Sequence, residues 1–270
     1  MSASPKHQDG LKAAKIGWKN APIVYALCQV RFSTLLAIEN AIPKFQPSIQ
    51  KRFPRYDDTP IQSMEIDLLA NQFTPRKRAR WAFYNKELTS GFVIQDSAFV
   101  YHTTSYSTFE EFCSDLEEGL HGFQQAAEPT LVERVGVRFI DFITPDGKHP
   151  LDDYLAETLR GPVFRDVPVR EVIQRQEQII AKTDVGQFNF RSSRGRHAFP
   201  LPADVGPINL KVSRNAPENT PSVVLDFDHF IEEPFDFSVA QVMDNARALQ
   251  DSLGKMFKLL TSEWAQQQWK

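Results

Sequence analysis

Residues 99–138 constrain the fold more than any other segment of this 270-residue chain. They begin with FVYHTTSYSTFEEF, continue with a run in which apolar residues recur every three or four positions, and end inside LVERVGVRFIDF. Alternation of apolar and polar residues indicates strands, whereas recurrence at three to four positions indicates a helix. A strand, a helix and a second strand in this order predict an α+β architecture.

The helix of this segment is predicted over residues 107–126. Ser107 with Glu110, or Thr108 with Glu111, has the spacing of a capping box, in which the two side chains satisfy backbone donors of the first turn. One face of the helix is apolar, which predicts packing against a sheet. The residues of that face are Phe109, Phe112, Leu116, Leu120 and Phe123.

The remainder of the first half reads as strands joined by short gaps. Strands are predicted over residues 23–32, 63–68, 80–84, 91–95, 98–102 and 131–143. Gaps this short predict antiparallel pairing, since a parallel connection needs a dozen residues or more. A helix is predicted over residues 37–53, where Pro43 fits the first turn and Pro47 would bend or end the helix.

The second half repeats the order of the first. Strands are predicted over residues 169–182, 185–192, 207–213 and 222–231, after a short helix at 151–159 and before a long helix at 238–264. We therefore expect antiparallel meanders with amphipathic helices packed on one face, arranged as two similar halves at 21–145 and 146–270. Residues 1–20 are polar and are expected to form a flexible leader.

Composition places the chain among ordinary globular proteins. Hydrophobic residues make up 41% of the sequence and the formal net charge is −3, which disfavours a generally basic nucleic-acid binder. Two cysteines cannot build a disulfide framework. We expect a cytoplasmic protein with no membrane segment, because neither a signal-peptide core nor a long apolar run is present.

Several segments together resemble a known family. They are NAPIVYALCQVRF, HTTSYSTFEEF and RVGVRFIDF. They are similar to segments of a sporadically distributed family of uncharacterised prokaryotic proteins of about this length. Phe109 stands where the family pattern has Trp, and Asp141 stands where it has Asn. The resemblance implies no established reaction, cofactor or catalytic residue, but its patchy distribution suggests accessory genes such as toxin–antitoxin or defence islands.

No catalytic or metal motif emerges from the sequence. The six histidines do not form a ligand spacing, and neither a nucleophile motif nor a phosphate-binding glycine loop is present. Asp226, Asp228 and His229 are the best acidic cluster, but a strand would place the two aspartates on one face and the histidine on the other. We therefore predict no catalytic residue, no metal and no cofactor.

Basic residues concentrate in two places, which we interpret as loops. Arginine forks suit phosphate or carboxylate groups, and nearby aromatic side chains could stack on bases. The alternative is that the basic residues protect exposed sheet edges from pairing. The candidates are Arg76, Lys77, Arg78 and Arg80 in the first cluster, and Arg191, Arg194, Arg196 and His197 in the second.

Two further pairs are candidate sites. Arg134 and Arg138 share a strand face with Gly136, which would allow close approach of a ligand, although ion pairs with carboxylates would explain them equally well. Trp264 and Trp269, at the end of the last helix, are candidates for a protein interface.

These observations favour a non-catalytic binding protein that acts on a protein partner, for example as an antitoxin, an immunity protein or an accessory factor. A nucleic-acid or nucleotide-phosphate binder using the arginine clusters is the first alternative. A chaperone-like module is the second. Homo-oligomerisation stays open.

Overall fold

A computed structural model describes residues 20–67, 72–162, 167–196, 201–205, 208–214, 216–217 and 219–270; for residues 61–67, 72–77 and 203 it describes the backbone only. None of the helices in these ranges combines the length and apolar content needed to cross a membrane.

The strand predicted over 169–182 begins only at Arg175, since residues 169–174 are irregular, and the strands at Arg55–Asp57, Gln72–Arg78 and Phe235–Asp236 are not among the predicted ones. The other described strands correspond closely to the predicted strands. Dense β-branched and aromatic residues account for the longest of them. The strands are β1 (Ile23–Phe32), β2 (Arg55–Asp57), β3 (Ile61–Asp67), β4 (Gln72–Arg78), β5 (Trp81–Tyr84), β6 (Ser90–Gln95), β7 (Ala98–Thr103), β8 (Leu131–Ile143), β9 (Arg175–Lys182), β10 (Gln187–Gly195), β11 (Ser222–Ile231) and β12 (Phe235–Asp236).

Ten of the described strands form one antiparallel sheet in the order β2–β5–β6–β7–β1–β8–β11–β10–β9, with β12 paired to one end of β8. β3 and β4 pair with each other in a separate hairpin. The sheet runs without interruption from the first half into the second, because β8 pairs with β1 on one side and with β11 on the other. The two predicted halves thus contribute to a single sheet.

The helices are α1 (Ile42–Ile49), α2 (Phe109–Ala127), α3 (Glu157–Arg160), α4 (Val239–Leu260) and α5 (Glu263–Trp269). Thr108 caps α2 by accepting a hydrogen bond from the Glu111 amide, as the sequence predicts. The predicted helix over 37–53 is shorter, since a 3-10 turn at Ile38–Asn40 precedes α1 and α1 ends at Ile49, two residues after Pro47.

One face of the sheet packs against α1, α2 and α4 and forms the main core. Its centre is a set of fully buried phenylalanines from both layers, which pack edge to face around α1: Phe45, Phe83, Phe92, Phe99 and Phe123. The predicted apolar face of α2 supplies Phe112, Leu116 and Leu120 to this core. The prediction of helices packed on one face of an antiparallel sheet is confirmed.

The opposite face of the sheet is covered by an irregular segment that includes residues 201–205 and 208–214. Val205, Ile208 and Leu210 of this segment pack with sheet residues such as Tyr25 and Ile140 in a second, smaller core. The predicted strand over 207–213 is wrong: among its described residues, 208–213 are irregular. Their apolar side chains cover the sheet instead of extending it.

The end of the chain also differs from the prediction. The single helix expected over 238–264 is two helices, because α4 ends at Leu260 and α5 begins at Glu263. Thr261 adopts an extended conformation and bridges to Leu155, and Ser262 caps α5 by accepting a hydrogen bond from the Ala265 amide. The break redirects α5 toward the 3-10 turn at Leu151–Tyr154.

Candidate functional site

Four charged residues form a cluster on the sheet face opposite the helices, which we name the arginine–aspartate cluster: Arg138, Arg191, Asp204 and Asp226. Three of them lie on the adjacent strands β8, β11 and β10, where Asp226 is directly opposite Arg191. Arg138 is directly opposite Asp228, and Asp228 shares a face of β11 with Asp226 because alternate residues of a strand point to one face. The three side chains therefore lie on the same face of the sheet.

Asp226 is the buried centre of this cluster. Its side chain is 3% exposed and accepts hydrogen bonds from both arginines. Arg138 binds it with two nitrogens, Nε to Oδ1 at 2.7 Å and Nη2 to Oδ2 at 2.8 Å. Arg191 Nε adds a bond to Oδ2 at 2.9 Å. Two cations around one buried carboxylate leave a net positive charge unless a second anion is present.

Asp204 is that second anion. It lies in a short 3-10 turn (Ala203–Val205), and its Oδ2 atom is 2.9 Å from Arg191 Nη2 and 3.2 Å from Arg138 Nη2. Partial burial alone would raise the pKa of Asp204, but the Arg191 hydrogen bond and the charge of Arg138 outweigh it and hold that pKa below its usual value. The four formal charges therefore cancel, and Asp204 is charged at neutral pH.

Arg134 lies on the same face as Arg138, as predicted, and folds over Gly136. A Cβ atom at Gly136 would lie 2.6 Å from Arg134 Nη1, so the glycine makes room for this guanidinium. Arg134 donates to Gln29 at 3.0 Å, lies 3.4 Å from Asp228 and stacks over the Phe230 ring at 4.1 Å. The close approach expected at Gly136 is therefore made by a side chain of the same strand.

Two of the four residues of the second basic cluster, Arg191 and Arg194, lie in a strand and not in a loop. Residues Arg191–Gly195 are part of β10, whose backbone pairs with β9 on one side and β11 on the other. Arg194 points to the face opposite that of Arg191, where it pairs with Asp152 and donates to the Arg160 carbonyl at 3.1 Å. Arg196 pairs with Glu171 at 2.8 Å. His197 lies outside the described residues.

The first basic cluster also has some residues in a strand and one outside it. The backbones of Arg76 and Lys77 are in β4, and their side chains lie outside the description. Arg78 is exposed. Arg80 lies in the connection between β4 and β5, as expected, but it is buried: it is 6% exposed, donates to the Tyr84 hydroxyl at 2.6 Å and lies 3.3 Å from Asp57.

One of the two tryptophans is buried and the other is partly buried. Trp269 is 7% exposed, and its ring lies 5.7 Å from that of Phe257. Trp264 is partly buried against the core, with its ring 5.0 Å from that of Tyr154. The break between α4 and α5 turns both rings toward the core, and the role of Trp264 and Trp269 at an interface stays a prediction.

The described residues offer no metal-binding group of three or more His, Cys, Asp or Glu. His229 points to the helix face, where Nδ1 lies 3.1 Å from the Leu249 carbonyl oxygen and Nε2 lies 2.9 Å from Thr183. Asp226 and Asp228 lie on the other face, as the strand alternation predicts.

Burial raises the pKa of Cys28 to about 12 and that of Cys113 to about 11, so neither thiol is activated.

A hydroxyl-rich cleft lies at the N-terminus of α2. Thr89, Ser107 and Thr108 contribute hydroxyls to it, and Glu111 and Asp115 also line it. The two carboxylates oppose an anion there, and Thr108 already binds the Glu111 amide. The geometry is that of a capped helix.

The sheet edge formed by β9 is a second candidate for a binding surface. This eight-residue strand pairs with β10 on one side only among the described strands. Ile179 and Ile180, which point to opposite faces of the sheet, are 39% and 61% exposed. The segment before β9, residues 167–174, is also exposed and adds further apolar side chains, namely Val167, Val169, Val172 and Ile173. We name β9 with residues 167–174 the β9 surface.

Comparison with known proteins adds nothing to this description, since no model of a protein family and no curated protein matches the chain.

Sequence reasoning missed two features. Asp204 pairs with residues 13 and 66 positions away, and nothing in its neighbourhood, LPADVG, marks it as a partner of arginines. The strand content near 169–182 is visible in the sequence, but the position of that strand at a sheet edge depends on pairing that only the fold defines. One signal in the sequence is the segment VPVREVIQ just before that strand, whose valines and Ile173 do not alternate regularly with polar residues as on a strand with one covered face.

Proposed function

We propose that this protein is a non-catalytic binding module that takes up an extended segment of a protein partner along the β9 surface. The observation that carries the proposal is an eight-residue edge strand whose central isoleucines are exposed on both faces. An edge strand presents unpaired backbone donors and acceptors to any strand that docks beside it.

The two ends of the sheet differ in a way that supports this choice. The opposite edge strand, β2, has three residues, RYD, two of which are charged. Short, charged edges are a common protection against unwanted pairing. β9 is longer and apolar at its centre, and the exposed valines and Ile173 in the segment before it add further apolar area. Burial of this area by a partner would add hydrophobic stabilisation to the backbone hydrogen bonds.

The expected occupant is a β-strand of another protein with apolar residues at its centre. Because Ile179 and Ile180 face opposite sides of the sheet, the docking strand needs apolar side chains on both of its own faces. The charged residues of β9 lie at its ends and in its first half (Arg175, Glu177 and Lys182), so they would frame this contact and set its direction. An antitoxin, immunity or accessory role is one biological setting for such a module.

The alternative of nucleic-acid binding receives less support from the geometry. Arg191, Arg194 and Arg196, which were its main candidates, each bind a carboxylate of the same chain. These arginines also do not converge on one phosphate site, since Arg191 and Arg194 lie on opposite faces of the sheet. We therefore place protein binding first.

The test begins with the native complex. The protein is purified at low salt, and its mass is measured by light scattering together with mass spectrometry. We expect a co-purifying polypeptide in fixed stoichiometry, and on its binding we expect slower hydrogen exchange at the amides of β9. A dimer of this chain alone, or binding of many unfolded proteins without fixed stoichiometry, would contradict the proposal and favour self-association or a chaperone-like role.

Two variants locate the contact. Ile180→Lys places a charge at the centre of the β9 surface and should abolish partner binding. Leu36→Lys is the matched control, because Leu36 is also apolar and 95% exposed but lies in the connection after β1. Both variants should unfold at the same urea concentration as the original protein. Equal loss of binding in both, or retention in Ile180→Lys, would overturn the assignment to β9.

A further inference from the structure

We propose that Arg138 and Arg191 form a binding site for the carboxylate group of a ligand, and that Asp204 occupies this site in the structure. The site lies on the sheet face opposite the helices and is independent of the β9 surface. Its donors are the two Nη2 atoms that converge on Asp204 Oδ2.

The two aspartates of the cluster differ in their attachment to it. Asp226 is held by four nitrogen-to-oxygen contacts, and its side chain is 3% exposed, so it is a fixed part of the sheet. Asp204 is 51% exposed and is held by longer contacts, at 2.9, 3.2 and 3.4 Å. A ligand that competes with Asp204 would leave Asp226 and both arginines in place.

Charge indicates which ligand fits. With Asp204 displaced, Arg138 and Arg191 against Asp226 leave one positive charge, which a single carboxylate neutralises. The neighbouring Arg134 does not add to it, since Asp228 and Glu232 lie within ion-pair distance of that arginine. A phosphate dianion would bring one negative charge too many. Asp204 shows that a planar carboxylate reaches both donors at once.

Displacement of Asp204 requires little free energy because a half-exposed ion pair contributes little stability in water. Removal of the internal competitor should therefore improve ligand binding by about two- to fivefold, the range that such ion pairs account for. A purely structural role for Asp204 predicts a different result. Its loss would loosen the covering segment and leave ligand affinity unchanged.

The experiment uses the full chain and acetate as the probe. The arginine Nε–H resonances of Arg138 and Arg191 are followed during titration with sodium acetate, against sodium chloride at equal ionic strength. We expect saturable shifts with acetate, an affinity two- to fivefold higher in Asp204→Asn, and no saturation in Arg191→Gln. Absence of saturation in the original protein, which requires no variant to fold, would overturn the proposal.

The matched control is Asp152→Asn. Asp152 also pairs with an arginine of β10, Arg194, and has similar exposure at 46%, but it lies on the opposite face of the sheet. It should leave acetate affinity unchanged; an equal gain would show that net charge alone is responsible, and the site would be rejected. Tighter binding of phosphate than of acetate would reject the carboxylate assignment. A comparison of N-acetyl-trialanine with its C-terminal amide then tests whether a peptide C-terminus or a small acid supplies the carboxylate. Binding of the amide would also reject the site.

Discussion

Asp226 shows how one buried residue can bind two strands to its own. It accepts hydrogen bonds from Arg138 on β8 and Arg191 on β10 while its own strand, β11, lies between them. A buried ion pair contributes little net stability, because desolvation opposes the attraction. The loss of one partner is different, since it leaves the other charge buried without compensation.

We therefore predict that Asp226→Asn lowers the free energy of unfolding by about 3–5 kcal/mol. The asparagine keeps the shape of the side chain but leaves Arg138, whose side chain is 11% exposed, without its buried counter-charge. Urea denaturation measures the effect. Asp152→Asn, in which a 46% exposed carboxylate is lost, should cost less than about 1 kcal/mol, and equal costs for the two variants would contradict this account.

Asp141 gives the second prediction at the level of single residues. It is 4% exposed, and burial raises its pKa to about 8, although the charge of Arg214 lowers it in part. The unfolded chain holds this carboxyl at a pKa of about 3.9. Between these values the folded state binds more protons than the unfolded state, so stability falls as pH rises.

The contribution of Asp141 should be fully present below about pH 4 and lost as pH rises through about 8. In Asp141→Asn this slope should be absent, because the amide does not titrate. Urea midpoints of the two proteins, measured across this pH range, should move apart steadily in favour of the asparagine variant as pH increases. Parallel curves would show that Asp141 is charged in the folded state.

Secondary-structure elements could be predicted where the sequence itself encodes their ends. β1 and β11 agree with their predicted bounds of 23–32 and 222–231, because dense β-branched and aromatic residues end at prolines or polar residues. α2 begins where the capping box places it. The prediction was wrong at 207–213, where Ile208 and Leu210 alternate as in a strand but cover the sheet from above.

The candidate site was less predictable than the fold. The arginines of β10 read as a loop because polar residues interrupt its apolar alternation after Phe190. Their partners are far away in sequence: Arg138 and Asp226 are 88 positions apart, and Arg194 and Asp152 are 42 apart. Local patterns contain no information about such pairs, so the sequence identified the cations and the acidic residue Asp226 but not which carboxylate neutralises which cation.

The cap of α2 can be tested at the level of the element. Thr108→Ala removes the hydroxyl that accepts the Glu111 amide, leaving one donor of the first turn without its partner, and should lower the free energy of unfolding by about 1 kcal/mol. Ser105→Ala, an exposed hydroxyl in the same connection, is the control and should have little effect. If the two variants were equally stable in urea, the capping box would not contribute to the fold.

The whole molecule has one property that neither half has alone, a continuous sheet. β8 belongs to the first half in sequence, yet it lies between β1 and β11 and carries packing from α4. α4 covers both β8 and β11, so its apolar face spans the predicted boundary at residue 145. Elements that share a core are expected to unfold together.

We predict that the chain unfolds in one cooperative transition and that fragments 20–145 and 146–270 do not fold separately. The first fragment would lose α4 and expose β8, whose Val135 and Val137 are fully buried in the intact protein. The second would keep β9, β10 and β11 paired and would retain α4, but β12 would lose its partner β8 and the helix face that packs on β8 would be uncovered. Circular dichroism and urea denaturation of each fragment test this. A cooperative transition in either fragment would show that the halves are independent domains. Recovery of the transition only on mixing would show that the two fragments fold together through the shared strand β8.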